Sequence, residues 1–153
     1  MQTAHTPRDD ERIRTFGLLH EAYRRLDRAF SCSLERSCGI SGPFFEVLLR
    51  VGRSPDGRLN MSELAAQLGL TSGGTTRLVD RAVAAGLVER NSCPTDRRVQ
   101  WVVLSAAGGH KLDEALAVHL QDLQHEMLDR LDPAELVALE RALDKLRAEP
   151  SPG

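Results

Sequence analysis

Residues 62–104 hold two short helical patterns hinged at a glycine, followed by two β-rich runs around an arginine-bearing loop, and few folds accept that order. Ser62 is placed to cap a helix through Glu63-Leu64-Ala65-Ala66-Gln67-Leu68, which Gly69 ends. Thr71 or Ser72 caps the next helix; Leu78, Val79, Val83 and Leu87 fall on its buried side and Gly86 closes it. Two short helices joined in this way are a helix-turn-helix pattern. Val88-Glu89-Arg90 and Gln100-Trp101-Val102-Val103-Leu104 then read as strands, and Cys93 to Arg98 as the hairpin loop between them. A helix-turn-helix followed by a two-stranded hairpin is a winged helix.

Long amphipathic patterns flank this core. Phe16, Leu19, Tyr23, Leu26 and Phe30 recur at steps of three and four across residues 11–36, and Gly39 supplies a stop. Ser41 and Pro43 restart a helix bearing Phe44, Val47, Leu48 and Val51. Gly108-Gly109 marks the entry to a fifth helix with a stripe from Leu112 to Leu131, and Asp132-Pro133-Ala134-Glu135 opens a sixth with a capping box. The predicted order is α-α-α-α-β-β-α-α: mainly α with a small β-hairpin wing. A winged helix-turn-helix lobe is expected over 41–105 and a helical dimerisation lobe from 11–38 and 106–148. One small lobe cannot bury all these stripes, so exposed apolar surface is expected, with a second copy as its partner.

The net charge of −2 argues against nucleic acid until its distribution is considered. Residues 71–101 carry five arginines (77, 81, 90, 97 and 98) against Asp80, Glu89 and Asp96, a net of +2, whereas residues 102–153 carry five basic and ten acidic groups, a net of −5. A locally basic element on an acidic body still binds phosphate, because charge is felt only within a Debye length of about 8–10 Å. Arginine suits bidentate phosphate and base contacts. Cys32, Cys38 and Cys93 show no CxxC spacing, which leaves no zinc site and no disulfide framework. No apolar run reaches the ~20 residues of a membrane span, and a polar start without a signal-peptide core predicts a cytoplasmic protein. No Gly-rich phosphate loop, HExxH or GxSxG occurs, so no enzyme, metal or cofactor is expected.

The segments SELAAQLGLTSGGTTRLVDRAVAAGLVER and CPTDRRVQWVVLSAAG resemble the DNA-binding core of the MarR family. Pro94, Asp96, Arg97, Arg98, Leu104, Ser105 and Gly108 match that family's wing and helix-restart pattern, and GISGPFFEVLLRV is similar to its second helix. The resemblance implies a homodimeric, sequence-specific transcriptional regulator, usually a repressor, bound to a palindromic double-stranded operator. The residues agree with it. Ser62, Thr71, Ser72, Gly73, Gly74, Thr75 and Thr76 offer small polar groups and exposed amides at helix starts, where phosphate binds. Gly73 and Gly74 each cost about 1 kcal/mol relative to Ala inside a helix, a cost that close approach to DNA would explain. Arg77 and Arg81 share a face of the recognition helix; Arg81 has Asp80 or the wing as alternative partners. Pro94 stiffens the wing and Asp96 holds its tip. By the resemblance, Arg98 enters the minor groove and Arg97 touches phosphates.

The resemblance also implies a small-molecule pocket, often for aromatic carboxylates or phenols, where the first helix meets the second. Arg12, Arg14, Phe16, His20, Tyr23, Phe44 and Phe45 are the candidates for an anionic aromatic effector, with core packing or solvation as the alternative for each. Cys32 and Cys38 lie near the end of the first helix rather than its start, where a peroxide-sensing branch carries its cysteine, so buried inert thiols are the expectation. A cysteine-based redox regulator and a winged helix that binds only protein are the rival readings.

Overall fold

The computed structural model of the chain describes residues 10–93, 96 and 98–148. Six helices and three strands follow in the order α1 (Glu11–Cys38), α2 (Gly42–Gly52), β1 (Arg58–Asn60), α3 (Met61–Leu68), α4 (Ser72–Ala84), β2 (Val88–Ser92), β3 (Gln100–Leu104), α5 (Ala106–Glu126) and α6 (Pro133–Arg147), with a 3₁₀ turn at Leu128–Arg130. The mainly helical architecture with a small wing matches the expected order, with one strand added. No helix among the described residues is long and apolar enough to cross a membrane.

Local chemistry accounts for most boundaries. α1 ends where Gly39 takes φ +64°, a backbone geometry side chains resist. Ser41 precedes α2 in extended conformation, with Pro43 in the first turn, but its side chain makes no capping bond. Asn60, not Ser62, caps α3: its side chain accepts from the Ser62 and Glu63 amides at 3.0 and 2.9 Å, and Glu63 returns to the Asn60 amide at 2.9 Å. Thr71 caps α4 by accepting from the Gly74 amide at 3.1 Å. Asp132 and Glu135 form the capping box expected at the start of α6.

The wing is a three-stranded antiparallel sheet in the order β1-β3-β2 rather than a bare hairpin. Leu59 lies opposite Val102 and Asn91 opposite Trp101. β1 was missed because three residues, Arg-Leu-Asn, are too few to show alternation. Leu59 and Val102 are both buried, and that pairing docks the strand.

Contacts divide the described residues into two compact units, one gathering residues 10–26 and 120–148, the other within Asp27–His119. The boundaries between these units fall inside α1 and α5. The Asp27–His119 unit has a dense core: Leu34, Val47, Leu48, Val51, Leu64, Val79, Ala82, Val88 and Val102 are at most 1% exposed. Burying each large aliphatic side chain is worth about 1.5–3 kcal/mol. Ala82 rather than Val83 completes the buried side of α4; Val83 is exposed. Gly108 and Gly109 stand inside α5 and do not mark its entry. A Cβ on Gly108 would sit 1.8 Å from the Leu87 carbonyl oxygen, so the position requires a missing side chain. Ser105 starts this helix: its Oγ accepts from the Gly108 amide at 2.9 Å and donates to the Gly86 carbonyl at 2.6 Å.

The other unit has no buried residue among those described. The Arg25 guanidinium holds it locally, donating to the Glu126 carboxylate at 2.7 Å and to the Glu126 carbonyl at 3.0 Å. That hydrogen bond keeps the Glu126 carboxyl below its ordinary range. Ile13, Phe16, Leu18, Tyr23, Leu120 and Leu146 are each more than half exposed.

Candidate nucleic-acid interface

The first turn of α4 presents Thr71, Ser72 and Gly73 to solvent, with Thr76, Arg77 and Arg81 exposed beyond it. Three hydroxyls are committed to the backbone. Thr71 holds the Gly74 amide, Thr76 donates to the Ser72 carbonyl at 2.9 Å, and Thr75 donates to the Thr71 carbonyl at 3.0 Å. Thr75 is fully buried, which departs from the expectation that it joins a groove-facing surface. The two glycines differ in role. A side chain on Gly73 would meet open space, whereas a Cβ on Gly74 would lie 3.2 Å from Thr71 Oγ1 and press on the cap. The outward surface is therefore Ser72, Gly73 and the unpaired first amides of a helix, whose dipole favours anions.

Arg77 makes no hydrogen bond or ion pair with any described residue and stands as a free cation one turn into the helix. Arg81 does not pair with Asp80. Its guanidinium lies 5.9 Å from the centre of the Phe44 ring, while Asp80 takes Arg90 of β2 at 2.7 Å. The Asp80–Arg90 pair links the recognition helix to the wing, a contact that charge counting had not assigned.

At the wing, Asp96 accepts from the Arg98 amide at 3.0 Å and from its guanidinium at 3.2 and 3.4 Å. The amide bond first, then the guanidinium, hold the Asp96 carboxyl below its ordinary value of 3.8. Protonation would weaken the Asp96–Arg98 tie, which is therefore present above that value and is lost as pH falls through the lowered one. The Arg98 side chain is 92% exposed, and its direction is set by Asp96 while its charge faces solvent. Pro94, Thr95 and Arg97 lie outside the described residues.

Ser62 and Arg98 line one cavity of about 280 Å³ together with Asn60 and Gln100. An amide donor, a hydroxyl and a guanidinium on one concave surface match the hydrogen-bonding demands of a phosphodiester. Asn60 and Gln100 were not among the sequence candidates. An Asn three residues before Glu63, ahead of an apolar run, is a capping signature and was the available signal.

The expected effector residues divide between the two units. Arg14, Phe16, His20 and Tyr23 are exposed on the first half of α1, with the Phe16 and His20 rings stacked at 6.3 Å. Phe44 is half-buried near Arg81, and Phe45 is buried with its ring 4.9 Å from that of His119. Arg12 pairs with Asp10 at 2.6 Å, and of the seven candidates only Phe45 lines the apolar cavity of about 290 Å³ within the Asp27–His119 unit. Cys38 is buried as expected, but Cys32 is exposed and Cys93 half-buried.

A model of the MarR family matches residues 39–99, from the end of α1 into the wing. The multiple antibiotic resistance protein MarR of Escherichia coli is 34% identical over 129 residues, covering 84% of this chain and 88% of that protein. The crystal structure of Sco3205, a MarR family transcriptional regulator from Streptomyces coelicolor in complex with DNA, superimposes with a TM-score of 0.83 at 26% identity, covering 92% of this chain and 89% of that one. A mutant MarR from E. coli complexed with operator DNA gives 0.80 at 29% identity, covering 90% and 96%. The capped recognition helix, the arginine-bearing wing and these likenesses agree: the chain belongs to the MarR family of winged-helix transcriptional regulators.

Proposed function

We propose that the chain is a sequence-specific DNA-binding repressor that acts as a homodimer on a palindromic operator and is released by a small aromatic ligand. The observation that carries the DNA reading is the pairing of two solvent-facing cations on linked elements: Arg77 on α4, and Arg98 on the wing, aimed by Asp96. The first turn of α4 enters the major groove, where Ser72 and the free amides approach phosphate and Arg77 reaches base edges or the backbone. Arg98 enters the neighbouring minor groove. Asp80–Arg90 keeps the two contacts in register. Both structural relatives described above were determined with DNA bound, which supports this reading. In a homodimer the two recognition helices match successive major grooves when about 34 Å apart. A ligand releases DNA only by favouring an arrangement that breaks this match.

The test is selection of bound duplexes from a random pool, then footprinting and salt titration. A palindrome with half-sites about 10 base pairs apart should emerge. Arg77→Ala and Arg98→Ala should each weaken binding and lower the salt slope by about one, with native circular dichroism. A pool that never enriches, or a slope unmoved by either variant, overturns the reading.

A further inference from the structure

The apolar cavity of the Asp27–His119 unit has a charge character that runs against the expected anionic effector. Its aromatic wall is Phe30, Phe45 and His119, with the imidazole edge-on to Phe30 at 5.0 Å and tilted against Phe45 at 4.9 Å. Leu34 closes it on the apolar side. The carboxylates lining it are Asp27 and Glu46, and no described lining residue is Lys or Arg. One oxygen of Glu46 receives Arg50 at 3.0 Å, whereas Asp27 makes no hydrogen bond or ion pair with a described residue. An aromatic anion entering here would lose hydration and meet two carboxylates, with only the Ser31 hydroxyl and the His119 ring as donors on offer. An organic cation would meet the solvent-exposed Asp27 carboxylate, which has no ion pair with a described residue, and the phenyl rings of Phe30 and Phe45, both attractive. At about 290 Å³ the space is at the small end of ligand pockets and suits one ring with a compact charged group.

We infer that this cavity takes a small aromatic cation, an amine or quaternary ammonium, with Asp27 as its counter-charge and Phe30 and Phe45 as its walls. The inference rests on the ligand-released reading above for its regulatory meaning, but binding itself is measured without DNA, so the two fail separately. The experiment is isothermal titration of the full chain with three probes of similar size: benzyltrimethylammonium, benzyl alcohol and phenylacetate. The cation should bind at least tenfold more tightly than phenylacetate. Asp27→Asn, on an exposed stretch of α1, should weaken the cation about tenfold and leave benzyl alcohol unchanged. Glu46→Gln should weaken the cation less, since Arg50 already neutralises part of its charge. Phenylacetate binding equal to or tighter than the cation overturns the inference. So does Asp27→Asn without effect on the cation, or the absence of heat from all three probes.

Discussion

Gly108 shows how much can hang on one absent side chain. Its α-carbon faces the Leu87 carbonyl, a backbone group that cannot rotate aside. Gly108→Ala should cost at least about 2 kcal/mol, as overpacking does, and lower the thermal midpoint by about 5–10 °C. Gly109, one residue on, meets nothing within 4 Å. Gly109→Ala should be neutral or stabilising by up to about 1 kcal/mol, because it removes a helix-interior glycine. Calorimetry of the two variants separates close packing from helix propensity; equal effects would show that the Leu87 contact is unimportant. Identical letters thus carry opposite meanings, and the same holds for Gly73 and Gly74 and for Thr75 and Thr76. In each pair the one-residue turn of about 100° moves one member from solvent to packing.

At the scale of elements, hydrogen-bonding residues set the helix starts, and one short stretch, residues 58–62, departs from the sequence expectation. Placing the α3 cap at Ser62 rather than Asn60 shifts the helix start and hides β1, since Asn60 both ends the strand and caps the helix. Asn60→Ala should therefore cost about 1 kcal/mol, whereas Ser62→Ala should stay within about 0.5 kcal/mol, as exposed substitutions do. Denaturant midpoints at constant m-value read the difference, and a larger loss at Ser62 would return the cap to it. The Asp80–Arg90 link between α4 and β2 is worth under about 1 kcal/mol of stability at its exposure. Its significance is geometric, because it ties two elements that the proposed function places on one DNA duplex.

For the whole molecule, the decisive contrast is between a unit with a dense core and one with no buried residue among those described. Phe16, Tyr23, Leu120 and Leu146 are 62–70% exposed, apolar surface that the proposed second copy would cover. Sedimentation at micromolar concentration should give about twice the 16.9 kDa of the chain. Leu120→Glu combined with Leu146→Glu should shift it toward the monomer and weaken operator binding by at least tenfold. A monomeric parent that binds the operator tightly would remove the dimer from the proposed function.

The sequence alone determined the order of the six helices, the helix-turn-helix, the two-stranded hairpin and the place of Asp96 at the wing tip, because each depends on residues close in the chain. Periodicity, caps and loop chemistry act over three to eight residues and need no partner to be read. The tertiary structure decided what depends on distant neighbours: β1 against β3, Asp80 with Arg90, Arg81 near Phe44, Gly108 against Leu87. It also decided the cavity. Phe16, His20 and Tyr23 share a helical face and so suggested a pocket, but a cavity needs walls from several elements. Those walls are Asp27, Phe30, Phe45, Glu46 and His119, brought together from three helices by burial that no local pattern encodes.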